Sequence, residues 1–409
     1  MEGSLHLEQY SQFVDKVLIN EIYLRASSLN GIRVAHINTT AEGGGVAEIL
    51  QSLIPIMQEL GLNHTWEVIR LSDSSQKFMA RLLDLLQGGE LGVLPQEEQD
   101  AHIEELSHSL KPLREIQADV YVVHDFQLAP LAKLSHHIRP AIWFCHVDTA
   151  NPNPESEKYI RQFLDAYDLY AFNSATSILK GLPQEDVQVI SLGINPFSSK
   201  NMPLPQSEGL ELLTQCKIDV TRPLITQVSR FGKWKNPWQA IDAYRLIKLQ
   251  IPSVQLALVG AMQALDDVKS AEVLAGLKCY AEGDPDIYLL HDSTLIGEKE
   301  VNAFQSFSSV IFQRSSREGF GLTVTEAMWK KQPVVGTSAT GLCRQIVHGQ
   351  NGYIADETEK CANYAIKLIQ NRELSHKLGK QAHVFVKNNF LVPMMILDYL
   401  KAISKVAKR

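Results

Sequence analysis

Cysteine is scarce in this chain and badly placed for bonding. Cys145, Cys216, Cys279, Cys343 and Cys361 are odd in number and far apart among 409 residues. That spacing excludes a disulfide framework and the Cys-x-x-Cys zinc patterns, and it points to reduced, mostly buried thiols. No apolar run is long enough to span a bilayer, and the opening MEGSLHLEQYSQFVDKVL lacks the basic-then-apolar order of a signal peptide. A cytoplasmic location is the default expectation. Excess positive charge is missing too: the net charge of −7 argues against a nucleic-acid partner. The basic end LKAISKVAKR reads as solvated charge favoured by a helix dipole, so no stable membrane association is expected. The sequence has no internal repeat, no GxxxxGK[ST] phosphate loop and no GxSxG nucleophile elbow. No set of metal ligands has suitable spacing, so neither a metal nor another cofactor is expected.

What is present is an ordinary globular composition, 45% hydrophobic and 21% charged. The length exceeds what one hydrophobic core supports, which implies two domains. Strand-like and helix-like runs alternate, the signature of parallel sheets with crossover helices. Strands are expected at 32–38, 66–71, 119–125, 141–146, 168–174 and 187–193, after a helical, peripheral stretch over 1–30. A proline-rich linker with a short helix follows at 195–222. A second series has strands at 223–231, 254–260, 287–293, 309–315 and 333–339, then helices at 357–370, at about 375–389 and from about 392. The domains are accordingly 31–200 and 201–390, with 391–409 as a terminal helix. Two such domains suggest a ligand in a cleft at the carboxyl ends of the strands.

Chemistry-bearing residues do follow strands. VSRFGKWKN (228–236) carries Arg230 and Lys235, a planar fork and a point charge suited to a diphosphate, although a solvated surface pair would look the same. TTAEGGGVAE (39–48) places Gly44 and Gly45 between a strand and a helix, where bare backbone amides can approach an anion; a simple tight turn explains the run as well. SSREGFGLTVTEAMWK (315–330) has Gly319 and Gly321 around Phe320 at a helix start. Glu318 lies before that helix, and Glu326 inside it can accept from a vicinal diol such as ribose. WFCHVDTANPN (143–153) ends a strand with His146 and Asp148, and VVHDFQ (122–127) does so with His124 and Asp125.

Together these motifs resemble the retaining GT-B glycosyltransferases of family four, and HINTTAEGGGVAEILQ, VHDFQLAP, CHVDTANPN, ITQVSRFGKWK and REGFGLTVTEAMWK resemble its trehalose synthase subgroup. The resemblance covers nearly the whole chain. It implies an α/β GT-B fold of two Rossmann-like domains facing a cleft, with an acceptor domain first, a donor domain second and the last helix crossing back. It implies transfer of glucose from a nucleoside-diphosphate glucose to glucose, forming trehalose. Arg230 and Lys235 would then neutralise the leaving diphosphate, assisted by the Leu322 and Thr323 amides. Glu318 with the backbone of Gly319, Phe320 and Gly321 would grip the donor glucose, and Glu326 the ribose. Gly44 and Gly45 would cover the diphosphate, His146 would contact the transferred sugar, and Asp148 the acceptor. The expected partners are a nucleotide sugar and a small sugar acceptor, with a homodimer added from the family. Three positions depart from the family pattern: Asn236 and Thr340 where glycine is common, and Asn195 where aspartate is. Another small acceptor, trehalose phosphorolysis, or non-catalytic binding of a sugar nucleotide are the alternative readings.

Overall fold

Runs rich in valine, isoleucine, leucine and aromatic residues become strands wherever a neighbouring strand can cover their backbone groups on both sides. The computed structural model describes residues 6–89, 92–260 and 270–408. Six parallel strands form the first sheet: β1 (Arg33–Asn38), β2 (Asn63–Val68), β3 (Val120–His124), β4 (Ala141–Cys145), β5 (Leu169–Phe172) and β6 (Val187–Val189). Their spatial order is β2-β1-β3-β4-β5-β6. Every residue of β3 and β4 is buried, as strands covered on both faces must be.

The second sheet contains β7 (Leu224–Val228), β8 (Gln255–Val259), β9 (Ile287–Leu290), β10 (Val310–Gln313), β11 (Val334–Gly336) and β12 (Tyr353–Ile354), also parallel. Their order is β12-β11-β10-β7-β8-β9, so the chain winds outward in opposite directions from the β7–β10 pair. Each sheet has the order of a doubly wound α/β domain, and each has a switch point: β1 beside β3 in one, β7 beside β10 in the other. The fold is thus α/β with two Rossmann-like domains.

The chain divides into two units. One contains the described residues up to Gly193 together with those from Val392 on; the other is Ile194–Leu391. The terminal helix Val392–Ala407 packs on β3, β4 and the helices Lys16–Ser27 and Gly45–Glu59. Ten of its sixteen residues are buried, and that explains why a basic-ended helix belongs to the core of the first unit.

Four expectations are corrected. The N-terminal segment is helical but not peripheral, because Leu7, Tyr10, Ile19 and Ile22 are buried. β2 begins at the polar Asn63, three residues before the apolar run, because pairing with β1 starts at Arg33 opposite Asn63. β12 is only two residues long, below what a pattern can reveal. Of the five free thiols only Cys145 and Cys361 are buried; Cys279 and Cys343 are exposed.

Close backbone approach locates the helix that carries Glu326. Gly379, in the helix Arg372–Asn389, has room for no side chain: a Cβ there would lie 1.9 Å from the Lys331 carbonyl oxygen, just beyond the helix Leu322–Trp329. Gly379→Ala is therefore expected to destabilise the protein by about 1–3 kcal/mol, read as a lower midpoint in guanidinium unfolding. An unchanged midpoint would show that the two helices slide apart freely.

Candidate active site

At the switch point of the second sheet the chain leaves β7 through Arg230 and Lys235 and leaves β10 through Glu318. The structure brings two of the three together: Lys235 Nζ lies 2.5 Å from Glu318 Oε2. Glu318 is buried, and the same oxygen accepts from Ser315 Oγ at 3.0 Å and Gln313 Nε2 at 3.3 Å. Three donors on one oxygen hold the carboxylate in one orientation. Arg230 is exposed on the same turn and forms no ion pair among the described residues. A cation without a carboxylate partner is open to an anionic ligand.

Two buried amides tie these loops. Gln227 donates to the Lys235 carbonyl at 2.9 Å, and its Oε1 accepts from the Arg314 amide at 3.0 Å, joining the ends of β7 and β10. Gln313 supports Glu318 as described. Both are polar residues inside otherwise apolar strand runs, the signal by which sequence reasoning would have found them. Asn236, which stands where the family often has glycine, adopts φ 46° and ψ 54°. Asparagine is one of the few side chains that tolerate this left-handed conformation, so the departure keeps the turn.

The glycines around Phe320 now have reasons. Gly321 caps the helix Leu322–Trp329 at φ 89°, and a Cβ there would meet Leu342 at 3.0 Å and Glu318 Cγ at 3.2 Å. Gly341 lies so close to Phe320 that a Cβ would fall 2.5–2.6 Å from its backbone. Gly341 also donates its amide to the Glu318 carbonyl at 2.9 Å. Phe320 itself is buried, edge-on to Phe390 at 5.4 Å between ring centroids. Gly319 is buried as well, while Leu322 and Thr323 are half-buried at the helix start.

Glu326 lies inside the helix Leu322–Trp329 and is buried; its Oε2 accepts from Gln305 Nε2 at 2.9 Å. Oε1 has the Lys200 ammonium at 3.4 Å but no hydrogen bond. Lys200 escaped sequence reasoning because it lies in the linker, over a hundred residues earlier in the chain.

In the first unit Gly44 and Gly45 form the start of the helix Gly45–Glu59, with Gly44 extended at the cap and both accessible. His146 follows β4, and the structure joins it to three further histidines. His64, His36, His124 and His146 stand on β2, β1, β3 and the end of β4, the spatial order of those strands. Their ring nitrogens link in series: His64 Nδ1 to His36 Nε2, His36 Nδ1 to His124 Nε2, and His124 Nδ1 to His146 Nε2, each at 3.0 Å. Burial lowers the pKa of all four, to about 4 for His64 and about 3 for His146. The rings are therefore neutral near pH 7. A neutral imidazole has one N–H and one bare nitrogen, and each link needs one of each. Only two assignments satisfy all three links: every ring protonated at Nδ1, or every ring at Nε2. The outer nitrogens of the series, His64 Nε2 and His146 Nδ1, are buried without a hydrogen bond, and Asn173 donates to the His146 carbonyl at 3.1 Å.

Asp125 supports this end of the sheet. It sits at φ 66° and ψ 178°, a region almost reserved for glycine, and its Oδ1 accepts from the His146 amide at 3.1 Å. Asp148 is buried; Oδ1 accepts from the Ala150 amide at 3.1 Å, and Oδ2 has no partner. A buried carboxylate oxygen without a donor is poised to accept from a ligand hydroxyl. Among the described residues no group of three or more histidine, cysteine, aspartate or glutamate side chains is arranged to hold a metal, and no helix is long and apolar enough to cross a membrane.

Known proteins share this framework. The family description "Trehalose synthase, N-terminal domain" matches residues 36–178, and "Glycosyl transferases group 1" matches residues 211–384. A trehalose synthase of Thermococcus litoralis is 37% identical over 97% of this chain and 96% of its own length. That of Rubrobacter xylanophilus is 35% identical over 99% and 98%. The structure of an α,α-trehalose-phosphate synthase (UDP-forming) from Burkholderia vietnamiensis superposes with a TM-score of 0.74, covering 92% of this chain and 98% of that one at 14% identity, a likeness of fold. Two Rossmann-like domains with these switch points define a glycosyltransferase of the GT-B fold. The chain belongs to the trehalose synthase family and is a trehalose-related glycosyltransferase.

The depressed histidines give a pH dependence. His64 keeps its ring neutral in the fold down to about pH 4, whereas the unfolded chain takes up a proton near pH 6.5. The unfolded state thus binds more protons in that window, and stability falls as pH drops from 6.5 to 4. For His64 alone the loss is on the order of 3 kcal/mol. Melting temperatures across this window are expected to fall less steeply for His64→Gln than for the wild type; equal slopes would show that the ring is not held neutral.

Proposed function

We propose that the protein transfers glucose from a nucleoside-diphosphate glucose to free glucose, forming trehalose with retention at the transferred anomeric carbon. The observation that carries this reading is the Lys235–Glu318 contact at the β7–β10 switch point, with the unpaired Arg230 on the same turn. Transfer breaks the bond from the anomeric carbon to the diphosphate oxygen, and the electron pair leaves with that oxygen. Charge builds there as the sugar becomes oxocarbenium-like, so fixed cations stabilise the transition state more than the ground state. Arg230 and Lys235 supply them, with the Leu322 and Thr323 amides at the start of the helix.

Glu318 holds the donor glucose through Oε1, since Oε2 already takes Lys235, Ser315 and Gln313. The Gly319, Phe320 and Gly321 backbone lies against the same sugar. Glu326 serves the ribose through its unsatisfied Oε1. The acceptor oxygen attacks from the face the diphosphate leaves, and its proton passes to the departing phosphate oxygen. Gly44 and Gly45 cover the diphosphate, His146 contacts the transferred sugar, and Asp148 accepts from the acceptor through Oδ2. The nucleotide sugar and the acceptor bind without a metal or other cofactor.

Arg230→Ala removes an exposed side chain, so thermal stability is expected to stay unchanged. Glucose transfer, followed as trehalose formed from labelled donor, should fall by about a hundred- to thousand-fold in kcat. Lys235→Ala should lose a similar factor. Activity within about threefold of wild type in either variant would sink the reading. A further expected outcome concerns Gly321→Ala. Its Cβ would force Glu318 aside, raising KM for the donor and lowering kcat together, measured by initial rates at varied donor.

A further inference from the structure

The second unit contains a cavity of about 280 Å³ that none of Arg230, Lys235, Glu318 and Glu326 lines. It lies over the start of the helix Pro237–Lys248, between the loops that follow β10, β11 and β12. Among its walls are Asn236, Gln239, Arg314, Arg317, Ser338 and Thr340.

Arg314 is the unusual member. Its side chain is fully buried, yet among the described residues its hydrogen-bond partners are neutral: Nη2 donates to Gln239 Oε1 and to the Asp356 carbonyl, each at 3.1 Å. Nε and Nη1 are buried with no acceptor. Among the described residues no carboxylate lies within ion-pair distance of it. Asp356 also lines the cavity, but it is exposed and its Oδ1 accepts from the Ser338 amide at 2.7 Å. Asp356 therefore acts on the guanidinium only from beyond ion-pair distance; a buried cation with no anion in contact is unfavourable, and an arginine does not escape by losing its proton. A ligand anion resolves the imbalance.

Two further features point the same way. Arg317, half-buried on the cavity wall, adds a second guanidinium, so the walls keep one net positive charge after Asp356 is counted. The helix Pro237–Lys248 opens on the cavity without a side-chain cap, because Asn236 takes a left-handed conformation and bonds Gln239 instead. Its first-turn amides and the positive end of its dipole are left to an anion.

We propose that this cavity is a second anion site, binding a phosphate group, free or carried on a sugar. Arginine forks match phosphate oxygens in pairs, which suits Arg314 and Arg317. The volume is many times the roughly 30 Å³ of a water molecule, room for a phosphate with a hydroxylated carrier. The Ser338 and Thr340 hydroxyls on the wall suit such a carrier. The site is separate from the donor cations and stands whether or not the transfer reading holds.

Titration calorimetry on the full chain tests it, with inorganic phosphate in one arm and glucose 6-phosphate in the other. Arg317→Gln should weaken binding by about tenfold or more, while Lys235→Ala should change it by less than about twofold. Either ligand binding the more tightly supports the site and identifies whether the phosphate is free or carried. Loss of binding in Lys235→Ala with none in Arg317→Gln would place the phosphate at the donor cations and overturn the proposal, as would the absence of binding in the wild type. Arg314→Met provides a second check: if folded, it should abolish binding and melt no lower than the wild type, and retained binding counts against the site.

Discussion

Parallel strands all present their carboxyl ends at one edge of a sheet, and where the winding direction reverses, two neighbouring loops part and leave a gap. In the second unit that gap lies between β7 and β10, and the placement of Arg230, Lys235 and Glu318 depends on it. The loop after one strand supplies cations, the loop after the other a carboxylate, and Lys235 meets Glu318 across the gap. Gln227 and Gln313, with their side chains buried at the strand ends, keep both loops at a distance where this pair forms. At Gly321 a side chain would press on Glu318, and at Gly341 it would strike the Phe320 backbone.

The second unit treats its buried charges in three ways. Glu318 is surrounded by donors. Glu326 has one amide donor and a more distant ammonium, which leaves an oxygen unsatisfied. Among the described residues Arg314 hydrogen-bonds neutral partners alone. Buried charges with incomplete partners cost stability. That gradient separates a fully partnered carboxylate from two buried groups with unpartnered polar atoms.

The first unit meets part of its buried polarity with neutral rings. Four imidazoles on neighbouring strands satisfy one another in series, so each nitrogen's role is set by the next ring. This couples His146, beside the unsatisfied Asp148, to a residue on the edge strand β2. The left-handed backbone at Asp125 is held in the same region by the His146 amide and by Trp143 Nε1, which donates to the Asp125 carbonyl at 3.0 Å.

Much of this was legible in the residue order. Alternating runs gave two α/β domains and all but one of the twelve strands, because burial on both faces demands continuous apolar stretches. Arg230, Lys235, Glu318 and the glycines around Phe320 stood out because each follows a strand. The first two histidines of the series did not: His36 hid within an apolar run, and His64 preceded the run taken for β2. Lys200 and Arg314 likewise carry no local pattern. Sequence periodicity reports which face of an element is buried, and so it determined the elements and their class. Which side chain meets which depends on strand order and register between segments far apart in the chain; only folding decided that Lys235 pairs with Glu318, that four histidines form one line, and that Arg314 is buried with no ion pair among the described residues.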